Sequence, residues 1–143
     1  MLRHSHARLL HTVAAVIFVL TGIAHAIGQY APGPTDPGTV ALVHQLTTTR
    51  LAGAPFTWWQ VLMCWGALYG AMSLVLGVHA LAVTRACAHD PRVVRASARV
   101  LAVAAIVQSA VAIFYTTTPP AFFMIPAAVL CLLAGWAPER GAD

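Results

Sequence analysis

The stretch TWWQVLMCWGALYGAMSLVLGVHALAV, residues 57–83, decides which solvent this chain is built for. It carries no charged side chain, and a helix crossing the hydrocarbon of a bilayer needs roughly 20 mainly apolar residues at a rise of ~1.5 Å each. Working outward, three more uncharged apolar stretches read the same way, at about 11–28, 100–116 and 120–136. The predicted fold is all-α: a four-transmembrane-helix bundle in a single integral membrane domain over 1–143. The spans form two helical hairpins in series, with no convincing repeat or low-complexity tract. Composition agrees, because 59% hydrophobic and only 8% charged residues could not coat a water-soluble monomer.

The net charge of +4 comes from eight arginines and no lysine, and their placement orients the bundle. Arg3 and Arg8 precede the first span, Arg85, Arg92, Arg95 and Arg99 surround the 84–99 connection, and Arg140 follows the last span. Only Arg50 lies in the long segment 29–56. The positive-inside rule then places both termini and the 84–99 connection in the cytoplasm and 29–56 outside, which requires an even number of spans. Ala24-His25-Ala26 has the small-x-small form of a secretory cleavage site. The apolar run continues through Ile27 and Gly28, so an uncleaved first span is the reading kept.

Boundaries are set by capping chemistry. Asp36-Pro37 reads as N-cap and first helical residue of a short external helix from about Pro37 to Ala52, closed by Gly53 and Pro55. Val40, Val43 and Leu46 give it a weak apolar stripe suited to lying at the interface. Trp58, Trp59 and Tyr30 are expected at headgroup level. Asp90-Pro91 repeats the start signal, so the third helix should run from near Pro91 to about Thr116. Arg92, Arg95 and Arg99 would share one of its faces, positioned for lipid headgroups or serving only to set topology. Pro119-Pro120 opens the last helix, and Pro126 should kink it.

Gly66 and Gly70 form a GxxxG pair, and Ser73 with Gly77 continues the small-residue row. Packing against another helix of the chain is the main expectation, with Gly70 the least tolerant of a larger side chain. A homodimer, or another membrane protein docked on Gly66, Gly70 and Gly77, is the second. The remaining partners expected are membrane lipids; no nucleic-acid partner is expected.

Few residues can do chemistry, and depth separates them. His25 lies ~5 Å below the outer end of span one, whereas His79 lies ~33 Å from the outer end of span two. Ligands of one haem or metal must share a depth, so they pair poorly. His11 and His79 share the inner leaflet but lack a visible third ligand. No metal or cofactor is therefore expected, and Cys64, Cys87 and Cys131 show no disulfide pattern. One constellation stands out: Thr21, His25, Gln60 and Cys64 from the outer halves of spans one and two, with Gln108 and Ser109 from span three. It reads either as the lining of a small outer-leaflet pocket or as an interhelical hydrogen-bond cluster that fixes packing.

Gly22-x-x-His25, Arg50-x-x-Gly53 before an aromatic opening of span two, and Tyr115 before a Pro/Phe entry to span four resemble a group of small, uncharacterised bacterial four-span membrane proteins. A fainter architectural likeness is to DoxX-like four-helix proteins. The resemblance implies a bacterial inner membrane and supplies no catalytic residue. The expected function is that of a non-enzymatic multi-pass component, binding a lipid-like or small apolar molecule or acting through a membrane-protein partner. The alternative is a small membrane redox or quinone-linked enzyme with an outer-leaflet site around His25. No HExxH, nucleotide loop, acidic pair or cysteine motif supports catalysis, and no span carries the carboxylate an ion path would favour.

Overall fold

The structure is a computed structural model that describes residues 2–115 and 119–136. The described chain is all-α, with helices α1 (Leu2–Gln29), α2 (Pro37–Thr48), α3 (Trp58–Ala86), α4 (Pro91–Tyr115) and α5 (Pro119–Gly135). Three of these, over Ser5–Gln29, Trp58–Ala86 and Pro91–Phe114, are long and apolar enough to cross a membrane. The apolar part of α5, Phe122–Gly135, is shorter.

Helix ends depart from the hydropathy windows for identifiable reasons. α1 begins at Leu2 rather than near His11, since the polar residues before the apolar run continue the helical backbone. The connection expected over 84–99 is mostly helix. α3 runs on to Ala86 and closes through Cys87 N–H on the Val83 carbonyl at 2.8 Å. Only 87–90 turn, and Asp90 then caps α4 by accepting from the amides of Arg92 at 2.9 Å and Val93 at 3.4 Å. Asp36 caps α2 as expected, accepting from the Thr39 amide at 2.9 Å with Pro37 behind it.

α2 stops at Thr48, short of Ala52. The hydroxyls of Thr47 and Thr48 bond back to the His44 carbonyl, both at 2.8 Å, and Thr49 turns extended. The chain then pairs Arg50 with Thr57 in an isolated antiparallel bridge. Gly53 makes this reversal with φ 76°, a conformation that side chains resist.

The chain divides into two compact units, Met1–Thr21 with Ser73–Asp143, and Gly22–Met72. In the first, α4 packs on α5, and the core draws Ala14, Ala15 and Phe18 from α1, Ala80 from α3, Leu101, Ala102 and Ala105 from α4, and Met124, Ala127, Ala128 and Cys131 from α5. Alanines dominate because membrane helices gain by close backbone approach, lipid being as apolar as leucine. The closest approach is at Gly77, where an added Cβ would lie 2.7 Å from the Ala15 carbonyl oxygen and 2.8 Å from the Val19 nitrogen. Large apolar side chains such as Leu20, Val75, Val103 and Leu133 point outward and are more than half exposed, the arrangement an apolar solvent favours.

In the second unit, α3 meets the last turns of α1 through Gly66 and Gly70. A Cβ at Gly70 would touch the Gly22 carbonyl oxygen at 3.4 Å, ordinary contact, while one at Gly66 would meet the Gln29 side chain. The small-residue row therefore packs against α1 of its own chain, and its tightest approach to backbone is at Gly77 rather than Gly70.

Candidate functional site

The six residues of the expected outer cluster belong to different units, and their hydrogen bonds run to residues outside the six. In the first unit, Ser73 donates to Gln108 Oε1 at 3.3 Å, joining α3 to α4, and Ser109 donates to the Ala105 carbonyl of its own helix at 2.7 Å. Thr21 is buried, and its hydroxyl has no hydrogen-bond partner among the described residues. In the second unit, Gln60 is an end-cap: its Oε1 accepts from the Thr57 amide at 2.8 Å, and the Gln60 amide donates to Thr57 Oγ1 at 3.3 Å. This reciprocal capping box was readable as Thr57-x-x-Gln60. Cys64 is exposed. His25 lies against the Gly66–Gly70 face with its ring 5.0 Å from that of Tyr69, and its Nε2 is buried without a hydrogen-bond partner among the described residues. Beside it, Gln29 donates to the Met63 carbonyl at 3.0 Å.

A polar node that the sequence does not reveal lies in the first unit, where α1, α3 and α4 meet. His11 is fully buried, with Nδ1 2.7 Å from Thr84 Oγ1 and Nε2 3.1 Å from Ser97 Oγ. Thr84 donates its own proton to the Ala80 carbonyl at 2.9 Å, so its oxygen receives the proton of His11 Nδ1. In the neutral ring Nε2 then accepts from Ser97, and the network assigns the tautomer. His79, expected at a similar depth to His11, is exposed.

One turn from this node toward the start of α1 lies a cavity of about 330 Å³ lined by Ala7, Arg8, Ala88, His89, Pro91, Val94 and Arg95. On α1, His11 follows Ala7 and Arg8 at helical spacing, and on α4 Ser97 follows Val94, so the node is the next layer beneath the cavity. The cavity brings the beginning of α1 and the α3–α4 turn to one end of this unit. Among the described residues, no carboxylate lines it.

The three arginines expected at headgroups have separate surroundings. Arg92 is exposed and Arg95 is only 8% exposed, in the cavity wall. Arg99 is engaged by the end of α5: its Nε donates to the Gly135 carbonyl at 3.0 Å, and its guanidinium carbon lies 5.2 Å from the Trp136 ring centroid. Arg8, used in the sequence only to set topology, and His89 complete the basic lining. Their common location depends on helix packing between positions 8 and 89, and nothing local in the sequence announces it. No protein-family model, curated protein or solved structure matches this chain.

Proposed function

We propose that the chain is a four-span protein of a bacterial inner membrane, that both termini and the α3–α4 turn lie on the cytoplasmic side, and that it works without catalysis by holding anionic membrane lipid. The observation that carries this reading is the gathering of Arg8, His89 and Arg95 at one end of the first unit, the sign of charge that selects the cytoplasmic face and its anionic headgroups. α5 is the fourth span. Its 17 residues extend about 26 Å against a hydrocarbon core of roughly 30 Å, a mismatch that local bilayer thinning absorbs. α2, with no buried residue, lies at the external interface. Since the glycine row packs within the chain, a second copy or another membrane protein would dock on the outward apolar faces.

Mass spectrometry of molecules that co-purify with the protein in a mild detergent tests this. Anionic phospholipid should be enriched over its share of the source membrane. A stoichiometric haem or quinone, with no lipid enrichment, would contradict it. That outcome would favour the second class, a redox or quinone-linked protein, for which the specific observation is His25 with its buried Nε2 beside Tyr69.

A further inference from the structure

We propose that the hairpin of α4 and α5 is fitted to a thin bilayer, its outward face matched to phospholipids with short acyl chains, and that Arg99 with the end of α5 fixes where the hydrocarbon must stop. This rests on the reading of α4 and α5 as spans three and four, and it adds the class of lipid they fit. Three observations carry it. The first is that both helices are short in the same measure. α5 has 17 residues, about 26 Å, and the uncharged part of α4 from Val100 to Tyr115 covers about 24 Å, against a typical hydrocarbon core of roughly 30 Å.

The second observation is the boundary. Arg99 Nε donates to the Gly135 carbonyl at 3.0 Å, and its guanidinium carbon lies 5.2 Å from the Trp136 ring centroid. The helices meet closely there, since a Cβ added at Gly135 would lie 2.9 Å from Arg99 Cγ and 3.4 Å from the Arg99 nitrogen. A charge, the last carbonyls of a helix and an aromatic ring suited to headgroups thus share one level. A thicker hydrocarbon layer would cover all three, at the cost of a buried charge and unsatisfied backbone. Engaged with the α5 backbone, Arg99 cannot also extend its head along α4 to escape. The third is the surface above this level. Its exposed side chains among the described residues are apolar, as at Val100, Val103 and Val107 on α4 and Phe122, Val129 and Leu133 on α5. The longer α1 and α3 can tilt in a thinner bilayer, but a short pair ended by a charge cannot lengthen, so the hairpin sets the thickness.

The test reconstitutes the full-length protein in vesicles of a single phosphatidylcholine, with myristoleoyl, palmitoleoyl, oleoyl or eicosenoyl chains, and follows thermal unfolding in each. The midpoint should peak with palmitoleoyl chains and lie at least about 3 °C lower with eicosenoyl chains, the scale of a few ångströms of mismatch. Arg99→Leu removes the charge that a thick bilayer would cover. It should cut the eicosenoyl penalty by at least about half, even where it lowers every midpoint. Arg92→Leu, the same change about 10 Å nearer the start of α4, should leave the profile as in the wild type. A flat profile, or a peak with eicosenoyl chains, would overturn the proposal. So would an Arg99→Leu profile lowered equally in every vesicle, which is what a packing contact alone predicts. Impermeant labelling of Cys87, in a Cys64→Ala, Cys131→Ala background, and of a C-terminal tag separates the two levels of the argument. Opposite faces would remove α5 as a span and the four-span reading with it, whereas one shared face with a flat profile would overturn only the thickness match.

Discussion

His11 makes its two contacts with residues 73 and 86 positions away in the chain. A histidine buried in a span is costly unless both ring nitrogens are satisfied, and here one hydroxyl from each neighbouring helix does so. His11→Phe keeps most of the volume and removes both bonds. The loss should be on the order of 1–3 kcal/mol, the upper part of that range if Ser97 is stranded. Thermal unfolding in detergent checks it, and an unchanged midpoint would mean the node does not hold the helices. Gly77 supplies the companion prediction. A side chain there meets the backbone of α1 below 3 Å, so Gly77→Leu should cost about 1–3 kcal/mol by overpacking. Gly70→Leu should cost less, because its first carbon meets only ordinary contacts. The reverse order in the same melting assay would refute the registration of α1 on α3. At this scale the sequence shows that Gly77 belongs to a small-residue row, but which glycine sits at the crossing depends on helix geometry that spacing does not encode.

Secondary-structure elements were legible wherever a cap sits beside a proline. Asp36-Pro37 and Asp90-Pro91 start α2 and α4 where the sequence places them, because an Asx acceptor and a residue without an N–H together satisfy the first orphan amides. Most other ends followed the apolar windows within a residue, as at the start of α3 and the end of α4, but not all did. α1 begins well before its apolar window, and α2 stops early, at Thr48, with Thr49 extended. The α2 cap is sensitive to pH. The Thr39 amide, followed by its hydroxyl, holds the Asp36 carboxyl below its ordinary value of 3.8. A group with a lowered folded-state pKa stabilises fully above the unfolded value, and the contribution is lost as pH falls through the folded one. Hydrogen exchange of α2 amides, corrected for intrinsic rates, should therefore lose protection only in that acidic window. Asp36→Ala should show reduced protection at neutral pH and no further acid-dependent loss. At the start of α3, Gln60→Ala should remove half of the capping box and cost roughly 0.5–2 kcal/mol.

For the whole molecule, composition alone was decisive about solvent, since apolar helices with outward leucines and valines are incompatible with a polar coat. The basic site was legible only as a list of arginines. What distinguishes Arg8 and Arg95 in the cavity wall from exposed Arg92 and from Arg99 on the α5 terminus is which helices pack together. The same distribution predicts that the arginine-rich end faces the cytoplasm. Its most direct test is a membrane-impermeant maleimide applied to intact cells, using protein in which Cys64 and Cys131 are replaced by alanine. With Cys87 as the remaining thiol, labelling should occur only after the membrane is permeabilised. With Cys87 also replaced and Thr39→Cys introduced, intact cells should label. Labelling of Cys87 in intact cells, with Thr39→Cys protected, would mean that the arginine-rich end faces outward and the protein sits inverted in the membrane.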